Sequence, residues 1–404
     1  MNLVQGGKEA SRWARTSSSG PPGGRRDRLA AGKARARGDG AGASRAANAE
    51  GSSHGSARIL RYGYADPFYA QMVVDARREW RELERLSGER LFTRTGSLDA
   101  GAARDPAALA EVFAKVGVDH ELLTGAEAAA RWPRFRFGEG DVLWHPAAGV
   151  VDAEASVAAM LRLARAEGAR VETGRPVSSV ERAGGGHRIV GPNGRAEEAE
   201  KVVVAAGGWL PDLLGGLPLP DSFLSAFPPL QVMQENAYHF PYRDAPEEPW
   251  PTFIHKQSDA LVYGLPGGRD AGLPGGRSGQ KVAEFNGGRP IRSAAAQTGA
   301  IDPANRERIV AYVRRALPGV VPEPYAETTC LFTNTPTEDF VVDGADGITV
   351  ASPCSGHGAK FAPLLGRIIA EAASGERPAP DRFRVRAAAR PRLRADPRPP
   401  SRYG

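Results

Sequence analysis

The chain has 404 residues, a formal net charge of +6 at pH 7 and 41% hydrophobic residues, enough for two domains or one large α/β domain. No apolar run approaches the roughly 18 residues of a membrane span, and the N-terminus lacks the apolar segment of a secretory signal. The two cysteines, Cys330 and Cys354, are too few for a secreted disulfide framework and lack metal-cluster spacing. We expect a soluble, cytoplasmic protein with neither a membrane partner nor a metal.

The positive charge is concentrated at the two ends of the chain. Residues 1–50 contain ten Lys and Arg against four Asp and Glu, and residues 377–404 contain nine Arg against two Asp. Residues 51–376 keep 34 basic and 41 acidic residues, a formal charge of −7. The ends are rich in Gly, Ala, Pro and Arg without interleaved aromatic residues, which favours disordered segments over nucleic-acid-binding arms.

From Arg58 onward the hydrophobic pattern predicts folded structure. Residues 66–88 place their apolar side chains at helical spacing, which predicts a helix packed on the core. The next predicted elements, in chain order, are a glycine-containing strand at 91–101, helices at 106–117 and 125–131, a strand and loop at 141–155, a helix at 153–167 capped by Asp152, a strand at 169–182, and a hairpin with a buried strand at 187–209.

The second half predicts a sheet followed by a return to the first layer. Its predicted elements are the strands QVMQENAYHFP, TFIHK, ALVYGLPG and QKVAEFNGG, a helix at 303–316 begun by Asp302 and Pro303, the strand that contains Cys330, a strand at 347–352, the turn PCSGHGAKF, and a helix at 361–374. This order predicts a mixed α/β (α+β) fold, in which a dinucleotide-binding layer joins a mixed antiparallel sheet that carries substrate.

Two glycine-rich loops follow predicted strands, AAGGW at 205–209 and SGHGAK at 355–360. A strand, glycines and a helix bring backbone N–H groups close to a cofactor at a positively polarised helix N-terminus. A glycine after a strand is also an ordinary turn, so neither loop decides the function alone.

Several segments together resemble one family. TTCLFTNTPTEDFVVD at 328–343 resembles the flavin-attachment segment of the monomeric sarcosine oxidase and N-methyltryptophan oxidase family, and SSHGSARILR at 52–61 is similar to its SSHG…RIIR pattern. GQKVAEF, LVYG and GHGAKF are similar to further family segments, and the resemblance covers residues 52–384. It implies an FAD cofactor bonded through its 8α-methyl group to the sulfur of Cys330. On composition alone, Cys330 is equally a small buried hydrophobic residue.

The resemblance also implies roles for other residues. It places Arg61 and Lys360 at the substrate carboxylate, Lys281 at the water and oxygen site over the flavin, and Tyr263 in the active site. It places nine further residues beside FAD: Ser53, His54, Arg58, Val177, Gly207, Trp209, Gly356, His357 and Gly358. The alternative for the charged members is a solvated surface position.

One position departs from the family pattern. Four residues beyond Lys281 the sarcosine oxidases have a histidine, whereas this chain has Phe285. Loss of that polar group favours a bulkier or more apolar amine than sarcosine. No side-chain general base is required if the amine binds unprotonated, so we expect His145 and His255 to be structural, and neither has a neighbour at metal-ligand spacing.

The N-terminal fifty residues lack the dinucleotide fingerprint that such a family requires. A hydrophobic strand, GxGxxG and a helix should precede SSHG, but this region contains almost no strand formers, and its formal GxGxxA at Gly38, Gly40 and Ala43 follows no predicted strand. Out-of-frame GC-rich codons yield Gly, Ala, Arg and Pro. We therefore hypothesise that residues 16–50, and the tail after Phe383, are translated out of frame.

These observations lead to one prediction with three alternatives. We expect a monomeric FAD-dependent oxidase of secondary amines or N-methyl amino acids, which uses O2 and forms hydrogen peroxide. A related flavin dehydrogenase or oxidase with another amine substrate, an inactive FAD-free remnant, and a basic nucleic-acid-binding protein are the alternatives. The expected layout is a disordered, non-family segment at 1–50, an FAD-binding Rossmann-like domain with an incomplete βαβ unit at 51–92, 141–220 and 325–376, a substrate domain at 93–140 and 221–324, and a disordered tail at 384–404.

Overall fold

The computed structural model describes residues 50–244, 246–258, 261–267 and 279–386, and the backbone of 2–6 and 38–41. Its strands are β1 Asn2–Gly6, β2 Gly38–Ala41, β3 Arg58–Leu60, β4 Phe92–Arg94, β5 Ser97–Ala100, β6 Glu121–Leu123, β7 Val142–His145, β8 Gly149–Val151, β9 Val171–Glu172, β10 Ser179–Ala183, β11 Gly186–Val190, β12 Ala196–Ala199, β13 Lys201–Ala205, β14 Gln231–Pro241, β15 Thr252–Lys256, β16 Leu261–Pro266, β17 Gly279–Glu284, β18 Arg289–Ile291, β19 Ala326–Asn334, β20 Val341–Ala345 and β21 Ile348–Ser352. Its α-helices are α1 Pro67–Ser87, α2 Pro106–Val116, α3 Gly125–Arg131, α4 Ala153–Ala166, α5 Leu210–Leu214, α6 Asp221–Ala226, α7 Pro303–Ala316 and α8 Ala362–Ser374.

A six-stranded sheet forms the first layer, in the order β20-β21-β13-β1-β2-β9. Strands β13 and β21 are parallel, whereas β1 runs antiparallel to both β13 and β2. Two short parts of the segment that the sequence predicts to be disordered are therefore strands, and the remainder of residues 1–49 lies outside the described residues. The first strand of a βαβ unit runs parallel to its neighbours, so the β1–β13 pair is not such a unit.

A nine-stranded mixed sheet forms the second layer, in the order β18-β14-β17-β16-β15-β5-β7-β6, with β19 also paired to β14. Tyr238 and Phe240 on β14 are buried in an apolar cluster with Ile309 and Val313 of α7. Helix α7 begins as the sequence predicts, because Asp302 accepts a hydrogen bond from the backbone N–H of Ala304 at 3.0 Å. Helix α7 therefore covers one face of this sheet, and the opposite face is left for the site described below.

Helices α1 and α8 pack together over the first layer. Asp66 caps α1 and Gly88, at φ 70°, ends it, which confirms the predicted helix over 66–88. Trp80 of α1 is buried, and its indole N–H donates a hydrogen bond of 2.7 Å to the carbonyl of Lys360, just before α8. Burying an aromatic side chain of this size contributes about 2 to 3 kcal/mol, so α1 holds the backbone at Lys360 firmly.

The predicted strand at 91–101 is two strands, β4 and β5. Gly96 between them has a φ of 71°, and a Cβ atom there would lie 1.8 Å from the Trp144 ring, so the chain bends where only glycine fits. None of the helices in the described segments is long and apolar enough to cross a membrane. The described residues also contain no group of three or more His, Cys, Asp or Glu side chains arranged to hold a metal ion.

Candidate active site between the two layers

Strand alternation and pairing bring four chemically active side chains onto one face of the nine-stranded sheet. Glu235 lies directly opposite Cys330 on the paired strands β14 and β19. Lys281 of β17 lies opposite His239, four residues beyond Glu235 on β14, and Tyr263 of β16 lies opposite Ala283, two residues beyond Lys281. Directly paired residues and residues two apart share a face of a sheet. We call this side, with Cys330, Glu235, Lys281 and Tyr263, the site face.

The site face lies against the segment that leads into β3. Tyr263 packs in a small apolar cluster with Ala57 and Ile59, on either side of Arg58. The hydroxyl of Ser52 donates a hydrogen bond of 2.5 Å to the carbonyl of Leu331, next to Cys330. The loop at 52–57 therefore forms the wall opposite Cys330.

Arg58 holds that loop in shape. Its guanidinium donates hydrogen bonds to the carbonyls of Ala57 at 2.9 Å and Ser52 at 3.1 Å, and to the carbonyl of His54. A guanidinium carries five N–H donors, so these three contacts leave two donors that could bind a ligand. Arg58 thus stabilises the conformation of the SSHG loop, in addition to placing a positive charge there.

Burial and local charges act on Cys330 in opposite directions. Burial raises the pKa of the Cys330 thiol, Lys281 and Arg58 lower it, and Glu235 raises it further. The charges of these groups all act on the pKa of Cys330, as expected for side chains that lie close together. A nearby cation favours the thiolate, the nucleophilic form of cysteine.

The turn at 353–358 closes the cleft beside β19. Gly356 has a φ of 70°, and a Cβ atom there would lie 2.7 Å from the ring of Phe332 and 2.9 Å from that of Phe285. A Cβ atom on Gly358 would lie 1.9 Å from the carbonyl oxygen of Pro353. Both positions require glycine, because the backbone passes too close to its neighbours for any side chain.

Tyr64 joins the turn to the start of α8. The ammonium of Lys360 donates hydrogen bonds to the Tyr64 hydroxyl at 2.9 Å and to the His357 carbonyl at 2.8 Å. The Tyr64 hydroxyl is 3.0 Å from His357 Nδ1, and His357 Nε2 is 3.0 Å from the carbonyl of Glu338. A carbonyl only accepts, so Nε2 carries the proton and Nδ1 accepts from Tyr64. Burial and the charge of Lys360 lower the pKa of His357 to about 3, which keeps the ring neutral.

Arg61 and Lys360 form a pair of cations on the same tyrosine, with Lys360 buried and Arg61 partly exposed. The Arg61 guanidinium is 4.9 Å and the Lys360 ammonium 5.4 Å from the centroid of the Tyr64 ring. Burial, followed by the charge of Arg61, holds the pKa of Lys360 well below its ordinary value. Burial and Arg104 likewise lower the pKa of Arg61. Among the described residues neither cation forms an ion pair with a carboxylate, so both charges favour binding of an anion.

Comparison with known proteins identifies the fold around this cleft. A family model described as FAD dependent oxidoreductase (DAO) matches residues 42–372. The chain belongs to the family of FAD-dependent oxidoreductases. It is 30% identical to human peroxisomal sarcosine oxidase, over 80% of this chain and 82% of that protein. It is 28% identical to N-methyl-L-tryptophan oxidase of Citrobacter koseri, over 82% and 87%.

A solved structure supports the assignment. The open form of NikD, an amino acid oxidase essential for nikkomycin biosynthesis, matches with a TM-score of 0.73 and 25% identity, over 86% of this chain and 91% of that chain. The mixed α/β architecture predicted from the sequence is thereby confirmed, as is the resemblance to the sarcosine oxidase and N-methyltryptophan oxidase family.

The residues of the cleft fit the ring end of FAD. Cys330, Lys281 and Tyr263 share a face, the glycines of the 353–358 turn leave no side chain in the way, and Arg58 stands across the cleft. For the pyrophosphate end, the described residues include no glycine loop that leads from β1 into a helix. The family model also begins only at residue 42, and β1 is antiparallel to β13. The fit therefore extends to the ring end alone.

The remaining four predicted cofactor residues lie outside the strands that form the site face. Ser53 is exposed, and its neighbour Ser52 makes the hydrogen bond to β19 instead. Val177 is buried in an apolar cluster between the β10–β12 meander and the first sheet. Gly207 has a φ of 54° and no atom near its Cβ position, while Trp209 packs against Val232 and Leu331, the latter beside Cys330. For these four residues a contact with FAD remains a prediction.

The structure also adds residues that sequence reasoning missed. Glu235 is a carboxyl group with 1% exposure, and Gly288 N–H donates to one of its oxygens at 3.1 Å. Burial, partly offset by that hydrogen bond, raises the pKa of Glu235 to about 7. The available signal was an acidic residue in the middle of a long predicted strand, and Tyr64 could have been noticed three residues beyond Arg61.

Proposed function

We propose that this protein is an FAD-dependent oxidase of secondary amines of the N-methyl amino acid type. The observation that carries the proposal is the pair of cations, Arg61 and Lys360, on Tyr64. The names of the relatives, sarcosine oxidase and N-methyl-L-tryptophan oxidase, support a substrate that combines a secondary amine with a carboxylate.

The donor count favours a carboxylate at this pair. Arg61 donates to the carbonyl of Gly63, which leaves the other edge of its planar fork for two parallel bonds to a carboxylate. Lys360 uses two of its three N–H donors on Tyr64 and His357, which leaves one for the same anion. Arg61 would thus set the plane of the carboxylate, and Lys360 would supply a point charge.

The site face supplies the remaining groups. A bound FAD would supply the acceptor for a hydride from the carbon beside the amine nitrogen and the route for two electrons to O2, so that the products would be an imine and hydrogen peroxide. Tyr263 would line the part of the pocket that binds the amine, and Lys281 would supply a fixed positive charge where negative charge develops on oxygen. Cys330 would anchor the cofactor covalently: burial raises the pKa of its thiol overall, and Lys281 and Arg58 partly offset that rise in favour of the thiolate.

Phe285 shapes the proposed substrate pocket. Its ring centroid lies 5.6 Å from that of Phe332, and both rings border the Gly356 turn. Two aromatic rings at this position exclude water and contact an apolar side chain. We therefore favour an N-methyl amino acid larger than sarcosine, and a related flavin dehydrogenase with another amine remains the nearest alternative.

A second candidate is a folded protein that does not hold FAD. The antiparallel placement of β1 and the start of the family match at residue 42 favour it, because both leave the pyrophosphate without a helix N-terminus among the described residues. The hypothesis that residues 16–50 are out of frame belongs to this candidate. Translation of the other two reading frames tests it, and the absence of a V/I-rich strand followed by GxGxxG in either would refute it.

A substrate panel tests the oxidase. Peroxide formation is measured with sarcosine, N-methylalanine and N-methyltryptophan, for the wild type, Lys281→Met and the exposed control Lys115→Met. We expect turnover to be fastest with an apolar side chain, reaction with oxygen to slow about 100-fold or more in Lys281→Met, and Lys115→Met to match the wild type. Flavin-loaded protein that forms no peroxide with any N-methyl amino acid would overturn the proposal.

A further inference from the structure

A buried ion pair lies behind Arg61. Asp99 on β5 is fully buried, and the Nε–H of Arg104 donates to its Oδ1 at 2.5 Å. Arg104 belongs to the short 3-10 helix Ala102–Arg104 that follows β5. Burial alone would raise the pKa of Asp99, but the charge of Arg104, with smaller contributions from His145 and Arg61, brings it below the ordinary value. Asp99 is therefore ionised at neutral pH.

This ion pair meets the peptide next to the carboxylate-binding arginine. Arg104 and Arg61 both donate a hydrogen bond to the carbonyl oxygen of Gly63. A Cβ atom on Gly63 would lie 2.6 Å from Arg104 Nη2 and 2.8 Å from Asp99 Oδ2. The Gly63 peptide thus lies directly against the ion pair. A side chain at position 63 would force the Asp99 and Arg104 side chains to shift.

Two guanidinium groups at one carbonyl repel each other. After burial, Arg104 is the largest cause that lowers the pKa of Arg61, and Tyr64, Asp99 and Glu338 oppose it. Without the Asp99 carboxylate, Arg61 and Arg104 would separate, because the carbonyl carries only a partial charge. Asp99 therefore holds the two cations at the same oxygen.

The remaining neighbour of Asp99, His145, is charged only at acid pH. His145 Nδ1 is 3.6 Å from Asp99 Oδ2, and the imidazole ring lies between Phe113 and Tyr62, at centroid distances of 5.0 and 6.1 Å. Burial lowers the pKa of His145 to about 4, so the ring is neutral at pH 7. The expectation that His145 is structural agrees with this position.

We propose that Asp99 and Arg104 are positioning residues that fix the orientation of Arg61 toward the substrate carboxylate. The chain of contacts runs from the Asp99 carboxylate through the Arg104 guanidinium and the Gly63 carbonyl to Arg61. The inference rests on the proposed function, in which Arg61 binds that carboxylate. If the inference holds, loss of the ion pair weakens binding of the carboxylate but does not change the reaction at the amine.

Steady-state kinetics with paired substrates tests this inference. An N-methyl amino acid is compared with the N-methyl amine that lacks only the carboxylate, for the wild type, Arg104→Gln, Arg104→Lys and the control Arg78→Gln on the exposed face of α1. We expect Arg104→Gln to raise KM for the amino acid about tenfold or more with kcat changed less than about threefold, and to leave the amine unaffected. Arg104→Lys should restore part of the loss, and Arg78→Gln should match the wild type. Equal changes for both substrates would overturn the inference.

A binding measurement separates this inference from the proposed function. Calorimetry follows binding of a carboxylate analogue in which sulfur replaces the amine nitrogen, so no turnover is needed. Wild-type binding that weakens in Arg104→Gln and partly recovers in Arg104→Lys supports the inference. Equal binding by wild type and Arg104→Gln refutes the inference alone. Absence of binding by a folded wild type refutes the carboxylate site, and the inference with it.

Discussion

Glu235 lies directly opposite Cys330 on paired antiparallel strands, and both side chains lie on the site face. A buried carboxyl group and a partly exposed thiol are therefore neighbours at the proposed cofactor anchor. The charge state of Glu235 matters there, because an ionised carboxylate raises the pKa of the thiol. Burial raises the pKa of Glu235 itself to about 7, so this charge changes near neutral pH.

Glu235 should make the stability of the fold depend on pH. Between the ordinary pKa of 4.5 and about 7, the folded state keeps a proton that the unfolded state has lost, so stability falls as pH rises through this window. Since a tenfold change in acidity corresponds to about 1.4 kcal/mol, the loss amounts to about 3 kcal/mol. Urea unfolding at pH 5 and pH 8 should show it in the wild type and in the exposed control Glu111→Gln. Glu235→Gln should lose this component, and an unchanged pH dependence would contradict the assignment.

At a pH above the pKa of Lys360 in the free protein, binding of a carboxylate should draw a proton onto Lys360. The pKa of Lys360 lies well below its ordinary value because of burial and Arg61, and a bound anion raises it again. Affinity should therefore fall as pH rises through the pKa of Lys360. Calorimetry in two buffers with different ionisation enthalpies should show proton uptake for the wild type and none for Lys360→Met. The same heat in both buffers for the wild type would rule out this coupling.

Removal of one hydroxyl should loosen the cation pair. Tyr64→Phe keeps the ring under Arg61 but leaves the buried Lys360 ammonium and His357 Nδ1 without their shared partner. Each buried polar group left unsatisfied costs about 1 to 3 kcal/mol, so Tm should fall and KM for a carboxylate substrate should rise. Equilibrium unfolding and substrate titration measure the two effects. Wild-type values for both would show that the hydroxyl is not part of the network.

Substitution by alanine at two glycines should change the stability of the fold in opposite directions. Gly356→Ala places a methyl group against Phe332 and Phe285 at a φ of 70°, and we expect a loss of about 1 to 3 kcal/mol. Gly366, in the middle of α8 with no atom near its Cβ position, is the matched control, and Gly366→Ala should stabilise by about 0.4 to 1 kcal/mol. Chemical denaturation measures both. A neutral Gly356→Ala would show that the turn can shift away from the rings.

Local signals in the sequence predicted much of the fold. The helix at 303–316 matches α7 to the residue, because Asp302 and Pro303 form its first turn and its apolar spacing is regular. Short motifs also led to Cys330, Arg61 and Lys360, whose roles stay predictions. The contacts that the sequence did not predict depend on the register between distant strands, which no local pattern encodes. The pairing of Glu235 with Cys330 and the contact of Gly63 with Asp99 and Arg104 are of this kind.

The central claim is that the cleft holds FAD tethered to Cys330, and one measurement tests it most directly. The full chain is purified with added FAD, precipitated with acid and washed, and the flavin absorbance of the pellet is recorded for the wild type, Cys330→Ser and the control Cys354→Ser. We expect a yellow pellet for the wild type and Cys354→Ser, and a colourless one for Cys330→Ser. A colourless wild-type pellet from folded protein, or covalent flavin retained in Cys330→Ser, would contradict it.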